Sequence, residues 1–184
     1  MKLKLITLAA LLFGILAVAC AKPPVEEMEM ARDAVARAEN DADAVTYGWN
    51  SIARARTALG HMNSEAESKR YDSAKSFAAE AIAAAERAIT EGRTGAARAH
   101  SEASDLVSEL DSQIDETKQS LDAARSARLG LNLDSVERTI DEARTALSED
   151  RYQDALELCR AAQSELAAIV QRTSTAASEA SSKK

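Results

Sequence analysis

From about Val25 onward, apolar residues recur every three or four positions, and no window alternates with period two for long. That spacing lines one side of an α-helix. Met28, Ala31, Val35, Ala38 and Ala42 form a first stripe, Ile52, Ala55 and Leu59 a second, and Ala74, Phe77, Ala78, Ala81, Ala85 and Ala88 a third. A fourth runs from Ala96 through Leu106, Leu110 and Ile114 to Ala124. Val136, Ile140, Ala143 and Leu147 make a fifth, and Ala155, Cys159, Ala162, Leu166 and Ile169 a sixth. Breaks are expected at Tyr47-Gly48-Trp49-Asn50, within Gly60 to Arg70, and at Gly92-Arg93-Thr94-Gly95, where a Gly suits a left-handed helix end. Two more are expected at Leu129-Gly130-Leu131-Asn132, ahead of a capping box of Asp134 and Glu137, and at Glu149-Asp150-Arg151. The Ser-rich chain after Thr173 has little to bury and is expected to fray. The pattern therefore predicts an all-α fold of about six antiparallel helices.

Two blocks of this pattern occur twice. Ile52-x-x-Ala55-Arg56-Thr57-Ala58-Leu59 returns 88 residues later as Ile140-x-x-Ala143-Arg144-Thr145-Ala146-Leu147. Arg70-Tyr71-x-x-Ala74 returns 81 residues later as Arg151-Tyr152-x-x-Ala155. The offsets differ by a heptad, about two helical turns, so an inserted heptad keeps the same face inward. The repeat predicts two related three-helix units, residues 28–92 and 93–173, followed by a disordered tail, 174–184. Leu59, Tyr71, Ala74, Leu147, Tyr152 and Ala155 are its structural marks.

Composition sharpens this picture. Only 3% of residues are aromatic, and Gly and Pro number six and two, too few for a turn-rich β fold. About 40 residues are Ala, the strongest intrinsic helix former. The formal charge of −7 argues against nucleic-acid binding.

The N-terminus differs from the rest. Lys2 and Lys4 precede a stretch, Leu5 to Ala19, that is apolar apart from Thr7 and shorter than the roughly 20 residues of a membrane span. This is the form of a secretory signal peptide, residues 1–19. Leu16-Ala17-Val18-Ala19-Cys20 resembles the lipobox of bacterial lipoproteins, with Ala17 where that family usually has Leu. The resemblance implies acylation of Cys20, and Ala21 in place of Asp implies an outer-membrane address facing the periplasm. Residues 20–27, with Lys22-Pro23-Pro24, then form a stiff linker. Removal of 1–19 takes away two Lys and leaves a charge of −9, so lipid and not surface charge must hold the body to a membrane.

Two further resemblances rest on the repeat. Asp150-Arg151-Tyr152-Gln153-Asp154-Ala155-Leu156 and Lys69-Arg70-Tyr71-Asp72-Ser73-Ala74 resemble the turn and second helix of a tetratricopeptide hairpin, without its 34-residue period. The A-x-x-x-A, Leu and Tyr-x-x-Ala rhythm over most of 28–170 resembles the Ala-rich bacterial envelope family named domain of unknown function 4398. That resemblance implies an envelope location and a helical body, with no established activity.

Candidate chemistry is sparse. His61 and His100 stand alone, with no His-x-x-x-His or Cys-x-x-Cys spacing for a transition metal. Gly92 and Gly95 lack the Lys-Ser/Thr of a phosphate loop, and Asp111, Asp115 and Glu116 lie on a helix with no calcium-binding loop. Cys159 falls on an apolar stripe and reads as a small core residue. Tyr47 and Trp49 flank Gly48 and carry two readings. They are either exposed anchors for a partner, or rings packed back on the bundle, which a Trp beside a helix start favours. The expectation is a non-enzymatic lipoprotein without cofactor, contacting the membrane through its lipid and envelope proteins through its helices. The alternatives are a carrier of a small hydrophobic ligand and a coiled-coil-like envelope spacer.

Overall fold

The computed structural model describes residues 22–120 and 133–182; the expected leader, Cys20 and the break around Gly130 lie outside them. Among the described residues there are six helices and no strand: α1 Val25–Asn40, α2 Ala42–Tyr47, α3 Trp49–Glu67, α4 Tyr71–Ser120, α5 Asp134–Ser148 and α6 Tyr152–Ser182. The fold is an all-α bundle, as the periodicity requires. Two compact units divide between Gly92 and Arg93. Helix α4 crosses that division, supplying the last helix of unit one and the first of unit two.

In unit one, Arg56 reaches Glu39 at 2.5 Å and Arg32 donates to Asn63 at 3.1 Å, so α3 runs antiparallel to α1. Lys75 pairs with Glu27 at 3.0 Å, which sets α4 parallel to α1. The core between them is floored by alanines, among them Ala31, Ala38, Ala55, Ala81 and Ala85, with Val35, Ile52 and the fully buried Met62 supplying bulk. In unit two, Arg144 reaches Asp111 at 2.5 Å and Lys118 pairs with Glu137, making α5 antiparallel to α4. Arg160 to Glu102, at 3.4 Å, sets α6 parallel to α4. Leu110, Val136, Ile140, Cys159 and Leu166 fill that core.

The duplication extends to backbone detail. Lys69 and Asp150, 81 residues apart, both adopt left-handed backbone, at φ 58° and 59°. The Arg70 amide donates to the Glu65 carbonyl and the Arg151 amide to the Ala146 carbonyl, each at 2.9 Å. With Lys69 bonded to Ala66 and Asp150 to Leu147, both hairpins turn through the same Schellman motif. A third block, at an offset of 72, completes the repeat: Ala31-x-Asp33-x-Val35 corresponds to Ala103-x-Asp105-x-Val107, and Glu39 to Asp111. The ion pair Arg56–Glu39 thus has its counterpart in Arg144–Asp111.

Several local expectations are corrected. The expected break at Gly48 is present between α2 and α3, but an additional one falls earlier at Asp41, whose carboxylate caps α2 by accepting from the Ala44 amide at 2.8 Å. Gly92 and Gly95 end no helix. Gly92 is buried inside α4, and a Cβ there would lie 2.5 Å from the Ala44 nitrogen and 2.7 Å from the Asp43 carbonyl carbon. Gly48 similarly faces the Ala88 carbonyl with no room for a Cβ. Both glycines permit close helix approach, Gly92 from inside α4 and Gly48 from the junction of α2 and α3. Helix α5 is capped by Leu133 without a side-chain bond, so Asp134 and Glu137 lie in its first turn, where their charge suits the helix dipole. Helix α6 continues past Thr173 to Ser182, with the hydroxyls of Thr173, Ser174 and Thr175 bonded back to carbonyls of the preceding turn. The buried register also moves by one position: Ala58 and Ala146 face the core, while Leu59 and Leu147 sit half-buried at its edge.

Candidate functional site

Several ionisable groups sit in pairs at helix ends. Two bonds from Arg70, at 2.5 and 2.6 Å, hold the Glu65 carboxyl below its ordinary range. Arg151 bridges Glu149 and Asp154 across the second turn, and the Tyr152 hydroxyl donates to Asp150 at 2.7 Å. His61 lies on Phe77 with ring centres 5.1 Å apart, and His100 meets Tyr152 edge-on at 5.3 Å. Tyr71 and Tyr152 are both half-buried at helix starts, and Ala74 and Ala155 are buried one turn later. Cys159 is fully buried with its Sγ 3.9 Å from the Ala103 carbonyl oxygen, and burial pushes its thiol pKa up. A raised thiol pKa opposes nucleophilic chemistry. Among the described residues no three His, Cys, Asp or Glu side chains converge as a metal site.

What stands out is apolar surface. Trp49 is 62% exposed and Val45, four residues earlier, is 50% exposed. The packing favoured for Trp49 is corrected: its side chain, in the first residue of α3, stands in solvent and not against the bundle. Tyr47 is half-buried. Five large apolar side chains are exposed among the described residues, and four of them, Val25, Met30, Val45 and Trp49, belong to unit one.

Between the parallel helices α1 and α4 of unit one lies an open groove of about 840 Å³. Met30 and Ile82 form its apolar walls, and Asp33, Arg37, Asp41 and Glu86 line its rim. Sequence reasoning missed this feature because Met30 falls off the stripe that packs the core. The available signal was the third repeat block, which aligns Met30 with Glu102.

The fold defines a class: an all-α protein of two compact units that share repeated hairpin motifs. Residues 26–104 match the family model described as a domain of unknown function (DUF4398). Over that span, which covers α1 to α3 and α4 as far as Ser104, the chain is similar to that family; the resemblance expected over 28–170 extends no further than residue 104. No curated protein sequence and no solved structure matches the chain. No helix among the described residues is long and apolar enough to cross a membrane.

Proposed function

We propose that this protein is a non-enzymatic, lipid-anchored envelope protein whose helical body binds other envelope proteins. The observation that carries this reading is the exposure of Trp49 beside Val45 in a chain with a single Trp. Large rigid aromatics left in water are the usual anchors of protein recognition. The anchor is read from the leader-like residues 1–19 and Cys20, the outer-membrane address from Ala21. Helix α1 begins at Val25, directly after Lys22-Pro23-Pro24, so a lipid on Cys20 would be joined to the body by a short stiff spacer. The paired hairpins α3–α4 and α5–α6, each with its Tyr-x-x-Ala start, support a tetratricopeptide-like mode of presenting helix faces to partners.

The test is a photoreactive amino acid placed at Trp49 in whole cells, with the exposed Thr57 on the same helix as control. A discrete crosslinked envelope protein at Trp49 and none at Thr57 is the expected result. Equal crosslinking at both positions, or turnover of an envelope substrate by the purified Cys20→Ser chain, would overturn the reading.

A further inference from the structure

The duplication supplies an internal comparison at the groove of unit one. At offsets of 72 and 81, Met30 corresponds to Glu102, Ala79 to Arg160 and Ile82 to Gln163. In unit two, Arg160 and Glu102 pair at 3.4 Å across α4 and α6, bridging the two parallel helices at that level. In unit one the same places hold Met30, 48% exposed, and the exposed Ala79, with Ile82 beside them. The cross-helix ion pair of unit one, Lys75–Glu27, sits about one turn earlier, and the groove opens beyond it. The two copies therefore differ at the level of Met30 and Ala79: unit two is bridged there by Glu102 and Arg160 and its own α4–α6 groove, lined by Gln163, Leu166 and Val170, opens further along, whereas in unit one that level is apolar and open.

We infer that the α1–α4 groove of unit one is a docking site for an amphipathic helix of a partner protein, with an apolar ridge and basic flanks. This rests on the interaction reading above and names the chemistry of the partner. The length of the groove along α1, Met30 to Asn40, is about 15 Å at 1.5 Å per residue, which fits nearly three turns of a second helix. Met30 and Ile82 would receive side chains spaced at i, i+3 and i+7, the helix-in-groove mode of recognition. Charge selects the flanks. Asp33, Asp41 and Glu86 on the rim outnumber Arg37, and Asp33, Glu86 and Arg37 form no ion pair among the described residues. Lysines or arginines beside the ridge meet those carboxylates, and acidic flanks meet like charge.

The test uses the full mature chain carrying Cys20→Ser, so that no lipid contributes. The probe is a synthetic helix of about four turns with a leucine stripe and lysine flanks; a second peptide has glutamates in place of the lysines. Binding is measured by titration calorimetry on wild type and on the double variant Met30→Glu/Ala79→Arg. That variant imports the ion pair of unit two and leaves the net charge unchanged, so non-specific attraction of a basic peptide is constant. The lysine peptide should bind wild type and lose at least about tenfold in affinity on the variant, or about 1.4 kcal/mol, while circular dichroism is unchanged. Ile82→Gln, copying Gln163, should weaken it in the same direction, which keeps the test valid if the double variant fails to fold. No binding to wild type, equal binding to the variants, or equal binding of the glutamate peptide would overturn the inference. So would Met30-dependent binding to phosphatidylglycerol vesicles, which would make the occupant a membrane. If the groove fails while Trp49 still crosslinks a protein, the interaction reading stands and only this site falls; loss of both removes the reading itself.

Discussion

Gly92→Ala provides a sensitive probe of the way unit one is packed. In an exposed helix interior, Ala in place of Gly stabilises by about 1 kcal/mol. Gly60, exposed in α3 with no atom within 4 Å of its would-be Cβ, gives that value undisturbed. At Gly92 the added methyl would meet the Ala44 nitrogen at 2.5 Å, the Asp43 carbonyl carbon at 2.7 Å and the Ala44 Cα at 2.8 Å. All three are backbone atoms, so no rotamer change relieves the overlap and α2 must move. Overpacking of this kind destabilises by about 1–3 kcal/mol. The two substitutions share the propensity gain, so their difference isolates the clash: Gly92→Ala should be about 1–3 kcal/mol less stable than Gly60→Ala. Urea unfolding of the Cys20→Ser chain by far-UV circular dichroism measures it, with exposure of the Cys159 thiol reporting unit two separately. The Gly92→Ala shift should appear in the first signal and leave the second unmoved. If Gly92→Ala matches or exceeds Gly60→Ala in stability, the close approach of α2 to α4 is wrong.

Other consequences follow from single residues. Lys69 and Asp150 hold left-handed backbone at a strain of about 1 kcal/mol each, so Lys69→Gly should stabilise its hairpin by that order in a urea titration. Asp150→Gly should do so less, because it also removes the acceptor of the Tyr152 hydroxyl. The buried Cys159 thiol should react with a maleimide only as fast as unit two opens. Its folded pKa is raised, so the unfolded chain ionises first: stability from this group is constant below the ordinary thiol pKa and falls above it, by up to about 1.4 kcal/mol per pH unit. Comparing urea midpoints of wild type and Cys159→Ala at about pH 7 and about pH 9.5 checks the sign; equal pH dependence refutes it. Trp49→Ala should change stability by less than about 0.5 kcal/mol, and acrylamide should quench Trp49 nearly as freely as indole in solution; strong protection would contradict its exposure.

The helices and the hairpin turns were legible in the sequence because their causes are local: three-to-four spacing of apolar residues, and a Tyr-x-x-Ala start repeated 81 residues apart. What was not legible depends on partners far along the chain. Gly92 resembles a helix stop until α2 is placed against it, and the short α2 itself depends on the carboxylate of Asp41 reaching the Ala44 amide. Ala58 and Leu59 are both apolar, so the pattern does not say which faces the core; close packing of alanine surfaces selects Ala58 and leaves Leu59 at the edge. For Trp49 the sequence left two readings open, an exposed anchor or a ring packed on the bundle, and its position at the start of α3 leaves the ring exposed. The groove lay hidden for a different reason. Met30 acquires meaning only when α1 is aligned with the second half of α4 and its counterpart proves to be Glu102.

The claim beneath the functional reading is that lipid on Cys20 holds this body to a membrane, where its apolar surface meets protein partners. Metabolic labelling with a clickable palmitate analogue, followed by membrane fractionation of wild type and Cys20→Ser, addresses it directly. Wild type should carry label and sediment with membranes, and the variant should be unlabelled and remain in the soluble fraction. An unlabelled wild-type chain, or Cys20→Ser sedimenting at wild-type yield, would contradict the account.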